Sequence, residues 1–98
     1  MDVRFDAQDI DRLEVDATFA GGFSDAIVKA FRKRMQYIRA APDERAFYSM
    51  RSLRFEKLKG GRARQYSMRL NNQWRLILEF EGRSTEKTVV VKGIEDYH

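Results

Sequence analysis

One stretch of the chain constrains the fold more than any other: residues 65–80, with the sequence QYSMRLNNQWRLILEF. Two runs rich in strand-favouring residues flank Asn71 and Asn72, and asparagine tolerates the positive φ angles of a tight turn. This pattern is typical of a β-hairpin. Because successive side chains of a strand alternate between two faces, the register of the hairpin decides which residues share a face.

The loop of this hairpin contains either two residues or three. A two-residue turn would place Leu70 opposite a glutamine and would mix apolar with polar side chains. A loop over residues 71–73 instead places Leu70 opposite Trp74 and Arg69 opposite Arg75. It produces one apolar face, formed by Tyr66, Met68, Leu70, Trp74, Leu76, Leu78 and Phe80. We therefore predict the three-residue loop, since a slip of one residue would move every side chain to the other face.

The same register sets Arg69 beside Arg75 on the second face of the hairpin. Two like charges directly opposite each other are unfavourable unless an anion lies between them. The hairpin therefore predicts an anion-binding surface on its second face.

Two helices are predicted in the N-terminal part of the chain. Asp6 is a candidate N-cap for a helix over residues 7–19, which ends at a glycine pair. Ser24 is a candidate N-cap for a second helix that runs to Ala40, just before a proline. The predicted buried stripe of this helix is Ile27, Phe31, Met35 and Ile38. The predicted outward positions are Lys29, Arg32, Lys33 and Arg39.

Further strands are predicted over residues 3–5, 53–58 and 88–91, with a bulge or bend at a following glycine. Residues 43–50 fit either a helical turn or a loop. The resulting order is β-α-α-β-β-β-β. It predicts an α+β fold, in which a helical hairpin packs on a mostly antiparallel, twisted sheet of four or five strands, as a single domain over residues 1–98.

The composition excludes several kinds of site. The chain has no Cys, so disulfides and thiolate zinc sites are impossible, and its single His excludes multi-histidine metal sites. Carboxylate sites for hard cations remain possible by count. No apolar run reaches the roughly 20 residues of a membrane helix, and no signal-peptide pattern opens the chain. We therefore predict a cytoplasmic protein that does not contact a membrane.

The charges are unevenly distributed along the chain. Lys and Arg number 19 against 15 Asp and Glu, which gives a formal net charge of +4. The first part of the chain is acidic, with Asp2, Asp6, Asp9, Asp11, Glu14, Asp16 and Asp25. The basic surplus lies in residues 29–75. This asymmetry predicts one face that binds a polyanion and another that stays away from it.

The C-terminal residues contain a candidate acid–base group. The only His is His98, which follows Asp96 and Tyr97. On a strand, Asp96 and His98 would share a face, so that the carboxylate could hold a protonated imidazole suited to general acid or base catalysis. Tyr97 would point the other way and could stack on a base. A terminal His is as readily an exposed, inert residue, so this spacing alone leaves both alternatives open.

Other candidate contacts to nucleic acid lie near the hairpin. Lys57 and Lys59 are predicted to share a strand face next to a glycine turn whose backbone N–H groups suit a phosphate, and Arg62 follows the turn. At the hairpin tip, Asn71 and Gln73 either read base edges or form the turn, and the turn role is favoured for Asn71.

The segment LRFEKLKGGRARQYSMRLNNQWRLILEFEG, followed at the end by EDYH, resembles the RelE/ParE toxin superfamily. Within it, the HigB-type plasmid-maintenance killer proteins share an L-K-G turn, an N-x-Q-W-R hairpin and a terminal D-Y-H in this order. The resemblance covers roughly residues 52–98. It implies a RelE-like fold and a toxin of a type II toxin–antitoxin system.

The resemblance also implies an activity and its partners. HigB-type toxins are ribosome-dependent endoribonucleases that cleave mRNA in the A site of the 70S ribosome and require no metal or other cofactor. A cognate antitoxin, HigA-like and often with a helix-turn-helix domain, neutralises them. Operator DNA would then be bound only through the antitoxin.

Carried over by motif, the implied catalytic residues are Asp96, Tyr97, His98 and Arg75. His98 would act as the acid or base, oriented by Asp96, while Arg75 would stabilise the charge that forms when a 2′-OH attacks the adjacent phosphate. Tyr97 would position a base. The implied or suggested RNA-binding residues are Lys57, Lys59, Arg62, Arg69, Asn71 and Gln73.

The sequence departs from the family pattern at one position. Family members commonly have a His just before the L-K-G turn, where this chain has Phe55 and Glu56. Either Glu56 substitutes as the acid or base, or His98 acts with help from Lys and Arg side chains. The missing His keeps open an inactive member that serves only as an antitoxin partner or co-repressor. The other alternative within the superfamily is a ParE-like toxin that binds DNA gyrase without RNA chemistry.

Overall fold

Helices pack against one face of a single sheet in the computed structural model, which describes residues 1–62, 64–83 and 86–96. In chain order the elements are β1 (Asp2–Phe5), α1 (Ile10–Val15), α2 (Asp25–Ala40), α3 (Arg45–Ser49), β2 (Glu56–Lys57), β3 (Tyr66–Arg69), β4 (Trp74–Glu81) and β5 (Thr88–Asp96). Single 3₁₀ turns cover Arg51–Leu53 and Gly60–Arg62. None of the helices in these ranges is long and apolar enough to cross a membrane.

The sheet has five strands in the order β1-β5-β4-β3-β2. All neighbouring strands are antiparallel except β1 and β5, which run parallel. The predicted α+β architecture, with a helical hairpin on a mostly antiparallel sheet, is therefore confirmed. α3, in the segment that the sequence left open, is an additional short helix.

The β3–β4 hairpin has the predicted three-residue loop and register. Arg69 pairs with Arg75 and Met68 with Leu76, and the Leu70 N–H donates to the carbonyl of Trp74 at 2.9 Å. The asparagines of the loop were expected to adopt positive φ angles, but they do not. Among the described non-glycine residues, only Asp9 and Arg54 have positive φ.

The side chain of Asn71 closes the loop instead. Its Oδ1 accepts hydrogen bonds from the backbone N–H groups of Gln73 and Trp74, both at 2.8 Å. The turn role favoured for Asn71 is thus the one observed.

α2 begins and ends where the sequence predicts. The Ser24 Oγ accepts from the Ile27 N–H at 3.3 Å, and the helix ends at Ala40, just before Pro42. The predicted stripe of Ile27, Phe31, Met35 and Ile38 is buried. It packs against the apolar face of the hairpin, which includes Met68, Leu76 and Leu78.

Arg32 was expected to face outward from α2, and this is only partly correct. Its guanidinium is half-buried and donates to the carbonyls of Leu13 at 2.8 Å and Asp16 at 3.2 Å. These bonds satisfy carbonyls near the end of α1 and join the two helices.

The first helix is shorter than predicted, and Asp6 does not cap it. The Asp6 N–H continues the β1–β5 pairing by donating to the Val91 carbonyl at 2.9 Å, and the Asp6 carboxylate pairs with Lys92. Asp6 therefore belongs to the edge of the sheet, and α1 begins only at Ile10.

The predicted strand over residues 53–58 is also wrong in extent. A 3₁₀ turn ends at Leu53, Arg54 adopts the left-handed conformation with φ 46° and ψ 48°, and only Glu56–Lys57 pairs with β3. β5 is longer than predicted, and the expected irregularity at Gly93 is present as a register shift opposite Ile77 and Leu78.

Candidate functional site

A cleft of about 170 Å³ lies at the end of the β3–β4 hairpin. Its lining, which we call the arginine cleft, consists of Arg54, Arg69, Asn71, Asn72 and Arg75. Arg69 and Arg75 are paired across β3 and β4, as the hairpin register predicted. Because their neighbours Met68 and Leu76 point into the core, alternation places both arginines on the face away from the helices, the second face.

Arg75 is the central residue of the arginine cleft. It is only 5% exposed. In the part of the chain that the structure describes, Arg75 and the fully buried Ser67 are the two buried polar residues. The Arg75 Nε donates to the Ser67 Oγ at 2.8 Å, and Nη2 donates to the carbonyl of Arg54. Burial of a guanidinium is tolerated only when its N–H groups are bonded in this way.

Glu56 lies at the rim of the same cleft. Its Oε1 is 3.9 Å from the Arg75 Nη2, and its side chain is half-exposed. β2 places it there, because Glu56 pairs with Ser67 across β2 and β3. Glu56, predicted from the sequence as a possible substitute acid or base, thus lies next to the buried guanidinium.

Arg54 was not singled out from the sequence. It is exposed, its left-handed backbone follows the Arg51–Leu53 turn, and its carbonyl accepts from Arg75. Within the described residues its guanidinium makes no hydrogen bond or ion pair. Neither periodicity nor a motif marks this residue, because its position depends on a backbone conformation that arginine rarely adopts.

A further guanidinium contacts the main chain of the hairpin from α2. The Arg34 Nε donates to the Arg69 carbonyl at 2.8 Å, and burial together with the charge of Arg69 lowers the pKa of Arg34. Arg69 itself donates to the Asn71 carbonyl at 3.2 Å and to the Asn72 Oδ1. Positive charge is therefore concentrated at this end of the hairpin.

Elsewhere on the second face, charged side chains are paired with an oppositely charged side chain or hydrogen-bonded to a polar one. Arg4 bonds to Glu81, Lys92 pairs with Asp6 and lies 3.9 Å from Glu79, and Gln65 donates to Glu79 at 3.1 Å. The arginine cleft differs from these pairs, because Arg54, Arg69 and Arg75 converge there with Glu56 at the rim.

Asp96 lies close to the hairpin tip but not on the face of Arg75. It pairs with Trp74 across β4 and β5, and its Oδ2 accepts from the Gln73 Nε2 at 3.0 Å. Directly paired residues share a face, so Asp96 lies on the Trp74 face, while Glu95 lies on the second face beside Arg75. The predicted roles of Tyr97 and His98 concern positions outside the described residues.

The other residues predicted to contact RNA differ in whether their side chains are exposed or already paired within the protein. Lys57 and Lys59 are both exposed, but β2 ends at Lys57, so the two do not share a strand face as expected. Arg62 is already engaged, because it donates to both carboxylate oxygens of Glu95 at 2.8 and 2.7 Å. Across residues 1–62, 64–83 and 86–96, no three His, Cys, Asp or Glu side chains are placed to hold a metal ion.

Comparison with known proteins agrees with the resemblance in sequence. The model of the HigB-like toxin family, described as the RelE-like toxin of type II toxin–antitoxin system HigB, matches residues 4–98. No curated protein matches the chain. Eight chains of solved structures do match, among them a YoeB/ParE toxin from Agrobacterium tumefaciens with a TM-score of 0.62, 17% identity and coverage of 100% of both chains.

At that identity the structural likeness shows the fold alone, and the fold is that of a RelE/YoeB-like toxin. The family match covers nearly the whole chain and carries the assignment further. The chain belongs to the HigB-like toxins, the RelE-like toxins of type II toxin–antitoxin systems.

Proposed function

We propose that this toxin is an endoribonuclease that cleaves mRNA in the A site of the 70S ribosome. The observation that carries the proposal is the arginine cleft, where Arg54, Arg69 and Arg75 converge at the hairpin next to the strand that ends at Asp96. Guanidinium groups bind phosphates through paired N–H donors, and fixed positive charge stabilises the transition state of phosphoryl chemistry.

The reaction that fits these groups is attack by a ribose 2′-oxygen on the adjacent phosphorus. The new P–O2′ bond forms as the P–O5′ bond breaks, which leaves a 2′,3′-cyclic phosphate and a 5′-hydroxyl. A base takes the proton from the 2′-OH, and an acid gives a proton to the departing 5′-oxygen. Neither oxidant nor reductant is required.

We assign the acid or base role to His98, oriented by Asp96, and the positioning of a base to Tyr97. Glu56 is the alternative base, because its carboxylate lies at the rim of the cleft, 3.9 Å from Arg75. Arg75 contributes charge from a nearly fixed position, since its guanidinium is bonded to Ser67 and to the Arg54 carbonyl.

The partners follow from the type II toxin family. We propose a HigA-like cognate antitoxin with a helix-turn-helix domain, through which the complex would reach operator DNA, and mRNA on the ribosome as substrate. The site of action is then the cytoplasm.

Mapping of mRNA 3′ ends on programmed 70S ribosomes tests the proposed function. Wild type should cleave in the A site. His98→Ala should cleave far more slowly, since general acid–base help contributes about 10²–10⁴-fold, and Arg75→Ala should also be slow because it lacks the fixed positive charge that stabilises the transition state. Glu56→Gln separates the two candidate bases. Lys33→Ala, which removes an exposed charge on α2, is the matched control and should cleave like wild type.

Each other outcome points elsewhere. Full cleavage by His98→Ala together with loss in Glu56→Gln would move the base to Glu56. Absence of cleavage by wild type would contradict the proposal, and a supercoiling assay with gyrase would then test for a ParE-like binding toxin. Because Arg75 is buried, a thermal melt must show that Arg75→Ala is folded before its activity is interpreted.

A further inference from the structure

We propose that Arg54 binds a phosphate of the RNA backbone. The buried Arg75 holds Arg54 in place by a hydrogen bond to the main-chain carbonyl of Arg54. The inference rests on the proposed function in one respect, that the phosphate belongs to RNA. It assigns a binding role to a residue that the family motifs do not include.

The backbone of Arg54 adopts an unusual conformation. Its φ of 46° and ψ of 48° lie in the left-handed region, which is unfavourable for a side chain larger than glycine. Such a conformation persists only where surrounding contacts enforce it, and it is concentrated at functional sites. Two contacts hold Arg54 in this conformation: its N–H donates to the Arg51 carbonyl at 3.0 Å, and its carbonyl accepts from the buried Arg75 Nη2.

The arginines that line the cleft differ in the N–H donors they have available for a ligand. Arg75 donates to Ser67 and to the Arg54 carbonyl, and Arg69 donates to Asn71 and Asn72. The Arg54 guanidinium bonds to no other described residue, although Arg54 lines the same cleft. It is therefore the lining arginine whose fork of N–H groups is open to a ligand.

Positive charge predominates in the arginine cleft. Arg54, Arg69 and Arg75 lie around about 170 Å³ of open space, with the carboxylate of Glu56 near Arg75 at the rim. Like charges gathered in this way repel each other, and an anion between them removes the repulsion. A phosphate group can accept two parallel hydrogen bonds from one guanidinium, which a lysine ammonium cannot provide in the same geometry.

The test uses Arg54→Gly, because glycine adopts the left-handed conformation without strain and so removes the side chain while retaining the turn. Binding of a short single-stranded RNA, methylated at every 2′-oxygen so that it cannot be cleaved, is measured by fluorescence anisotropy over a salt series. We expect about tenfold weaker binding, the contribution of one charge-assisted hydrogen bond. The slope of log K against log salt should become shallower by about 0.7.

Two further variants make the result specific. Lys33→Ala removes one exposed positive charge from α2 and should retain RNA affinity. Arg54→Asn, in which asparagine also tolerates the left-handed region, repeats the test if Arg54→Gly melts below wild type. Unchanged affinity and salt slope in both Arg54 variants would overturn the proposal, as would an equal loss of affinity in Lys33→Ala.

The binding assay contains no ribosome, so its outcome is independent of cleavage. Loss of RNA affinity in Arg54→Gly, together with absence of cleavage by wild type, would sustain the role of Arg54 and overturn the endoribonuclease function. Normal affinity in Arg54→Gly, with A-site cleavage by wild type, would do the reverse.

Discussion

At the scale of single residues, Arg75 connects the folded core to the candidate site. The sequence placed it on the second face beside Arg69, and the structure confirms that register. The burial of Arg75 could not be predicted, because it depends on contacts from the Arg54 turn, which is distant in sequence. Position on a strand face is a local property, whereas burial of a charge is a tertiary one.

Ser67→Ala should destabilise the fold through Arg75. The substitution removes the hydroxyl that accepts from the Arg75 Nε at 2.8 Å and so weakens the hydrogen bonding of a buried guanidinium. The expected loss in free energy of unfolding is about 1–3 kcal/mol, measured by urea denaturation. Ser52→Ala, at an exposed position, is the control, and an equal effect of the two substitutions would contradict this account.

At the scale of elements, the parts predicted correctly are those whose sequence pattern agrees with their packing. α2 has a Ser24 cap and a stripe with helical spacing, and the hairpin has strict alternation. α1 and β2 were predicted too long, because non-local contacts decide where they begin. Asp6 pairs with β5 rather than capping α1, and the left-handed Arg54 separates β2 from the preceding turn.

The start of α3 is expected to be sensitive to acid. The Asp43 carboxylate accepts from the side chain and the backbone N–H of Arg45, and these bonds lower its pKa from 3.8 to about 2. A carboxylate whose pKa is depressed in the folded state stabilises it above the unfolded pKa, and this contribution is lost as the pH falls through the folded pKa. The contribution of Asp43 should therefore be present at pH 5 and largely lost near pH 2.

Comparison with Asp43→Asn isolates this effect from that of the other carboxylates. We expect the wild type to melt at a higher temperature than the variant at pH 5, and the difference to disappear as the pH approaches 2. Thermal melting followed by circular dichroism at both pH values measures it. A difference that is independent of pH would show that the ion pair with Arg45 contributes nothing.

At the scale of the whole molecule, the charges follow the asymmetry of the sequence only in part. Several acids of the N-terminal segment are paired within the fold, among them Asp6 with Lys92, Glu14 with Arg39 and Asp16 with Arg12. Asp2 and Asp11 are exposed and make no ion pair with a described residue. Pairing of this kind depends on tertiary neighbours, so a count along the chain overestimates the free negative surface.

Reversal of these two exposed charges tests what the acidic segment does. We propose that this acidic segment meets basic residues of the antitoxin. We therefore expect the double variant Asp2→Lys, Asp11→Lys to bind the cognate antitoxin more weakly, especially at low salt. Cleavage on ribosomes should persist. Titration calorimetry with the purified antitoxin measures the first effect, and unchanged affinity would exclude the predicted contact.

The parallel pairing of β1 with β5 has a consequence for the order in which the molecule folds. β3, β4 and β5 can pair through short connections, but β1 must find β5 from the other end of the sequence, as in the pairing of Asp2 with Thr88. Loop closure over such a distance is slow, so β1 should dock after the transition state. Val3→Ala should then accelerate unfolding, by about fivefold for a loss of about 1 kcal/mol, and leave the folding rate unchanged in stopped-flow experiments. β5, the strand that leads to the candidate site, would therefore gain β1 as its second neighbour late in folding and would lose it first in unfolding.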